Sequence, residues 1–236
     1  MNSGYTYAGN ELDVFYLAKR WKTYWAGLVS RYLGSEVLEV GAGIGANTEL
    51  LCSNRQRRWV CLEPDESLLR RLIHHLKNDE YRSVVEVRHG TLASLPKEEA
   101  FDTILYVDVL EHIQDDRGEL EQAVELLRPG GALIVLAPAH QWLFSPFDQS
   151  IGHYRRYSRR TLRAIVPSSL EVRSLIYLDS VGLITSSANV LFLRQRLPTT
   201  RQIEFWDRRL IPVSSRLDRR IGYSLGKTIL GVWVKR

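Results

Sequence analysis

Cysteine is almost missing from this chain: two residues in 236, Cys52 and Cys61. Two thiols without a metal-type spacing exclude a disulfide-stapled scaffold and lead to the expectation of a reducing, cytoplasmic setting. Long apolar runs are missing as well. A bilayer-spanning helix needs about 20 consecutive apolar residues, and the uncharged, mostly apolar run 181–193 is shorter and interrupted by Ser186, Ser187 and Asn189. The opening MNSGYTYAGNELD has no basic segment followed by an apolar stretch, so no secretory leader is expected. Repeats and low-complexity tracts are absent too. What is present, 44% hydrophobic and 25% charged residues, suits one large domain with a full core.

Charge is distributed unevenly. Residues 1–150 carry 15 Lys and Arg against 22 Asp and Glu, whereas residues 151–236 carry 17 against 5. Arginine supplies 26 of the 32 basic side chains, and its planar fork grips carboxylate or phosphate as lysine does not. The rear third therefore points to an anionic partner, or to no more than a solvated basic surface.

Periodicity changes along the chain. The first thirty residues read as helix, with Leu12, Phe15, Tyr16, Lys19, Tyr24 and Leu28 on one stripe and Trp21 and Trp25 beside it. From Glu36 onward, short β-type runs (36–40, 59–62, 84–87, 103–107, 132–137, 172–178 and 228–234) alternate with helical stretches such as 46–52, 66–76 and 119–127. That alternation predicts an α/β fold, a Rossmann-like seven-stranded, mostly parallel sheet with helices on both faces. Arg128-Pro129-Gly130-Gly131 reads as the turn that launches the fifth strand. The expected organisation is a single domain: an N-terminal helical cap (1–34), a cofactor-binding core (35–179), a lid insertion (180–223) and a final strand (224–236).

The most informative stretch is Val37-Leu38-Glu39-Val40-Gly41-Ala42-Gly43-Ile44-Gly45, which closes a strand and opens a helix. Glycine there lets the backbone turn tightly and approach a ligand with no Cβ in the way. The spacing is G-x-G-x-G, not the G-x-G-x-x-G of a dinucleotide fingerprint. Eighteen residues after Gly45, Glu63 closes the second strand. An acid at a strand end before Pro64 has little structural purpose of its own, so hydrogen bonding to ribose hydroxyls is its expected role.

Together with His89-Gly90-Thr91-Leu92, the run from Phe101 to His112 (FDTILYVDVLEH) and Leu127-Arg128-Pro129-Gly130-Gly131, these motifs resemble, in order, those of the class I S-adenosylmethionine-dependent methyltransferases. The resemblance covers 37–138 and implies S-adenosylmethionine as cofactor. Its contacts would fall on Glu39, Gly41, Gly43, Glu63, Thr91, Leu92 and Asp108. Thr91 stands where the family often has Asp, so its hydroxyl would replace a carboxylate against adenine. Carboxylates at 39 and 108 suit a ligand bearing ammonium and sulfonium groups; for Glu39, capping of nearby backbone amides is the alternative.

Acceptor chemistry is read partly from absences. Asp108-Val109-Leu110-Glu111 is not the N/D-P-P-Y/F that grips a base amine, and no Pro-Cys pair serves cytosine C5. No nucleic-acid partner is therefore expected, with an RNA-binding methyltransferase as a rival resting on the basic rear third. No metal-ligating set is expected either. After the fifth strand, the segment 137–157 holds His140, Trp142, Asp148, His153, Arg155, Arg156 and Tyr157. His140, His153 and His112 are candidate bases, because imidazole titrates near neutrality. Arg155, Arg156, Tyr157 and Trp142 are candidate acceptor contacts, the arginines as an anion clamp; the alternative is that Asp148, His153 and Arg156 form a hydrogen-bonded structural lid.

The run DQSIGHYRRY with the Arg-rich tail also resembles a subgroup of bacterial methyltransferases that accompany glycan or polyprenyl-linked glycosyltransferases. The resulting expectation is O-methylation of a small-molecule, sugar or lipid-linked acceptor bearing an anionic group. N- or C-methylation of a metabolite and a non-catalytic nucleoside-binding scaffold are the alternatives. Residues 181–196, apolar then basic, leave peripheral contact with a membrane open. Oligomeric state is not set by the sequence.

Overall fold

Strand residues of this chain alternate between two destinations. Leu38, Leu62, Ile104 and Leu133 enter one hydrophobic core, while their neighbours Val37, Cys61, Leu105 and Ile134 enter a second on the opposite side. Period-two alternation with both sets apolar is the signature of a sheet covered on both faces. The computed structural model describes residues 11–76, 83–188 and 199–236.

Seven strands form one sheet: β1 (Glu36–Val40), β2 (Arg58–Glu63), β3 (Val85–His89), β4 (Phe101–Val107), β5 (Leu127–Pro138), β6 (Leu170–Leu178) and β7 (Thr228–Lys235). Their order is β3-β2-β1-β4-β5-β7-β6. Strands β1 to β5 pair in parallel, and β7 lies antiparallel between β5 and β6. The chain leaves β1 toward β2 on one side and later returns to place β4 on the other. Between β1 and β4 lies the point where strand order reverses, which in such sheets is where a ligand crevice opens beyond the carboxyl ends.

Around the sheet run α1 (Glu11–Tyr16), α2 (Lys19–Val29), α3 (Ala46–Leu51), α4 (Glu66–His75), α5 (Asp116–Glu125), α6 (Pro146–Ser150), α7 (Arg159–Ile165), α8 (Ser180–Ala188), α9 (Thr200–Phe205) and α10 (Ile211–Arg220). The start of α4 is set by Asp65, whose carboxylate accepts the N–H groups of Ser67 and Leu68. A π-helical turn, Trp206–Leu210, joins α9 to α10.

Three differences from the sequence expectation have physical causes. The N-terminal helix is two helices, broken at Leu17 and Ala18, and residues 1–10 lie outside those described. The helix expected over 119–127 is α5, ending at Glu125, because β5 begins at Leu127 and runs through the presumed turn. Residues 128–131 form a bulge there: Phe101 pairs with Leu127, but Thr103 already pairs with Ala132.

The third concerns the 180–223 segment, expected as a lid. Asp207 accepts the backbone N–H groups of Arg20 and Trp21 at 3.2 and 2.8 Å, and Tyr24 donates to Asp218 at 2.9 Å. Trp206 packs its ring against Phe15 and Trp21. None of the segment's described residues lines the crevice; it braces α1 and α2, which do. Residues 189–198, which include half of the stretch considered for membrane contact, lie outside those described. No helix among the described residues is long and apolar enough to cross a membrane.

Candidate functional site

The crevice lies beyond the carboxyl ends of β1, β2 and β4 and is closed on its outer side by α1 and α2. Its floor is the loop Gly41–Ile44, its sides are Glu63, Pro64, Asp108, Val109 and His112, and its roof is Phe15, Tyr16, Trp21, Lys22 and Trp25.

The loop is shaped by backbone. Gly41, Gly43 and Gly45 all have positive φ, at 66°, 58° and 87°, where an L side chain is strained. A Cβ on Gly41 would stand 2.6 Å from Val109, so this glycine is required by packing. A Cβ on Gly43 would meet nothing nearer than Leu12 at 3.8 Å; the space beside it belongs to the crevice.

Glu63 faces this loop. Its Oε2 accepts the Gly43 N–H at 2.7 Å and its Oε1 the Asp65 N–H at 2.9 Å. The acid thus has a structural purpose that its position before Pro64 did not suggest: it ties the glycine loop to β2 while remaining on the crevice wall. Burial raises its pKa, against those two backbone N–H groups.

Asp108 stands opposite, at the end of β4, with φ of 53° and its N–H bonded to the carbonyl of Leu136. A non-glycine residue in the left-handed region at a strand end is strained, a feature concentrated at functional sites. Its side chain is exposed to the open crevice yet closely surrounded by protein, and that environment pushes its carboxyl up to about 6, opposed by the charges of His153, Lys227 and Lys22. Across the crevice burial lowers the Lys22 ammonium to about 8, opposed by Glu49 and Asp108.

Glu39 does not line the crevice. It is buried beneath the loop, where Oε2 accepts from the Thr48 hydroxyl at 2.6 Å and the Trp59 indole at 2.9 Å. It joins β1, β2 and α3, which corrects the expected cofactor contact to a support. Thr91 and Leu92 follow β3: Thr91 is exposed, the Leu92 side chain is in the core, and neither lines the crevice. Their turn is anchored to the site through the Gly90 N–H on the carbonyl of Glu63.

The acceptor-side candidates divide. His112 lines the crevice, and burial pushes it down to about 4. His153 lies behind it, ring edge to face at 4.5 Å. His140 is turned away: its Nε2 lies 3.0 Å from the Gly226 carbonyl and its ring packs on Tyr177. Trp142 is 57% exposed beside it and outside the crevice.

The expected anion clamp is occupied internally. Arg156 donates from Nε and Nη2 to both oxygens of the buried Asp148, at 2.8 and 3.0 Å. Asp148 also takes His153 Nδ1 at 2.9 Å and caps α6 through Ser145. Arg155 pairs with Asp116 at 2.6 Å and donates to the Gln114 carbonyl. The buried Tyr157 hydroxyl donates to Asp116 at 2.8 Å. These contacts brace the 137–157 segment from within, as in the structural alternative. Sequence reasoning missed Trp21 and Trp25 as crevice residues, although their i, i+4 stripe was visible, and Lys22, which lay outside that stripe.

Comparison with known proteins agrees with the geometry. A family profile described as a methyltransferase domain matches residues 38–133. A probable S-adenosylmethionine-dependent methyltransferase of Mycolicibacterium smegmatis is 33% identical over 132 residues, 56% of this chain and 48% of that protein. Over this stretch the chain is similar to S-adenosylmethionine-dependent methyltransferases. The N-methyltransferase NodS of Bradyrhizobium japonicum shares the fold at a TM-score of 0.58 and 16% identity, covering 93% of this chain and 96% of that one. The cyclase SpnF does so at 0.62 and 16% identity, covering 89% and 80%. The chain spans about half the length of the curated relatives it matches.

The crevice fits S-adenosylmethionine on chemical grounds. The cofactor's methionine end carries a cation and a zwitterion but no phosphate. A glycine floor, the Asp108 carboxylate and the Lys22 ammonium match that end, Glu63 stands apart from it, and the aromatic residues lie over it.

Proposed function

We propose that this chain transfers the methyl group of S-adenosylmethionine to a hydroxyl oxygen of a small or lipid-linked acceptor. The convergence of Gly43, Glu63, Asp108 and Lys22 on one crevice at the strand-order reversal carries this reading. S-adenosylmethionine, when bound, supplies a methyl group activated on sulfonium sulfur. Glu63 holds the ribose hydroxyls while keeping the loop in place, and Asp108 and Lys22 face the ammonium and carboxylate of the methionine end. Phe15, Trp21 and Trp25 exclude water from the reacting centre. On the acceptor side, Asp148 holds Nδ1 of His153 and fixes its ring behind His112. The anionic group first expected on the acceptor drops out of the proposal, because Arg155 and Arg156 already hold Asp116 and Asp148.

Calorimetric titration with S-adenosylhomocysteine tests the binding half, and release of that product from S-adenosylmethionine with a panel of alcohols, phenols and amines tests the transfer half. Binding and turnover on hydroxyl acceptors are expected. Turnover confined to amines would overturn the choice of oxygen, and binding without any turnover would favour a scaffold.

A further inference from the structure

We propose that Glu111, His112 and His153 form a divalent-metal site beside the crevice, open on one side to an acceptor hydroxyl. Each offers one ligand atom, and these atoms lie within 4.8 Å of one another. Around an ion with bonds of about 2.0–2.2 Å, donors stand roughly 3–4 Å apart, so closing the set takes shifts of about an ångström.

Two observations outside the spacing point to a cation. Glu111 is fully buried, and no other residue among those described donates a hydrogen bond to either of its oxygens, leaving only its own backbone N–H beside them. A buried carboxyl with no donor from any neighbouring residue is costly, and a metal ion is a group that would satisfy it. The second is the orientation of His153. Its Nδ1 lies 2.9 Å from Asp148 Oδ1, so the proton belongs on Nδ1 and the lone pair on Nε2, which faces Glu111 Oε1 at 3.8 Å. Asp148 is in turn fixed by both guanidinium donors of Arg156 and by Ser145. A carboxylate holding the far nitrogen of an imidazole is the usual outer support of a ligating histidine.

His112 completes the set from the short turn Leu110–His112 that follows β4, and it also lines the crevice. One carboxylate with two imidazoles suits manganese, iron, cobalt or zinc better than magnesium or calcium. The consequence for the acceptor rests on the methyl-transfer reading: a hydroxyl that ligates such an ion loses its proton more readily. The site was invisible in the sequence because His153 reaches Glu111 and His112 only through the fold.

The test is titration of chelator-treated full-length protein with cobalt(II) chloride, followed by visible absorption and calorimetry. One equivalent is expected to bind with a ligand-field band of nitrogen and oxygen coordination. Glu111→Gln and His153→Gln should each weaken binding at least tenfold, with thermal midpoint and S-adenosylhomocysteine affinity measured on the same samples. No band with the wild-type protein at stoichiometric cobalt overturns the site, as does binding that Glu111→Gln leaves unchanged. The wild-type titration decides alone if the variants do not fold. S-adenosylhomocysteine binding is a separate titration, so failure of the metal site and failure of the methyltransferase reading are told apart.

Discussion

Glu63 accepts the backbone N–H of Gly43 at 2.7 Å, so one carboxylate both holds the glycine loop and faces the cofactor crevice. Its loss should therefore be felt twice. Glu63→Ala is expected to weaken S-adenosylhomocysteine binding by about 1–3 kcal/mol and to lower the thermal midpoint as well, since two buried N–H groups lose their acceptor. Calorimetry and a melting curve on the same preparation check this. Full affinity in the variant would remove Glu63 from the site.

Gly41 and Gly43 separate packing from access. Gly41→Ala forces a methyl to within 2.6 Å of Val109 at positive φ, and should cost roughly 1–3 kcal/mol of stability. Gly43→Val meets no close neighbour in the protein, so its stability loss should be near the ~1–2 kcal/mol of left-handed strain, while cofactor binding disappears. Urea unfolding and S-adenosylhomocysteine titration of both variants distinguish the two; intact binding in Gly43→Val would place the cofactor elsewhere.

Arg156→Ala leaves Asp148 buried with its main cation gone. Asp148 is held down at about 2, against the effect of its burial, by hydrogen bonds from His153 and Arg156. The variant should lose roughly 3 kcal/mol of stability, as when one partner of a buried ion pair is removed. Acceptor KM and cofactor affinity should worsen together as the loop loosens. A rise in KM alone, with an unchanged melting point, would restore the anion clamp.

Glu39 makes stability depend on pH. Burial raises its carboxyl to about 7 from 4.5, opposed by the Thr48 and Trp59 hydrogen bonds. Between those values the folded chain binds a proton that the unfolded chain has lost, so this group's contribution falls as pH rises from about 4.5 to 7. Glu39→Gln removes that slope. Urea midpoints at pH 5 and pH 7.5 should show the variant gaining on wild type at the higher pH, by at most about 3 kcal/mol. An equal gap at both values would mean that Glu39 titrates normally.

Part of the crevice could be read before any coordinates. Strand β1 spans Glu36–Val40 as its apolar run predicted, and Gly41, Gly43, Glu63 and Asp108 reach the same crevice. Each sits at a strand end, where the parallel sheet carries local patterns to one edge. Glu39 had the same family motif behind it and still turned beneath the loop, because alternate strand residues face opposite sides. The acceptor side was hardly legible. An Arg-Arg pair looks alike in sequence whether it awaits an anion or already holds one, and only the fold brings Asp148 and Asp116 against Arg156 and Arg155.

The sequence alone determined the sheet, the glycine loop and the order of its motifs, because hydrophobic period and turn chemistry act over a few neighbouring residues. The tertiary structure decided which charges are spent inside the protein and which face the crevice. It set the 180–223 segment behind α1 and α2, and it brought Glu111, His112 and His153 together. Contacts between distant segments depend on how whole elements pack, and no short window of residues records that.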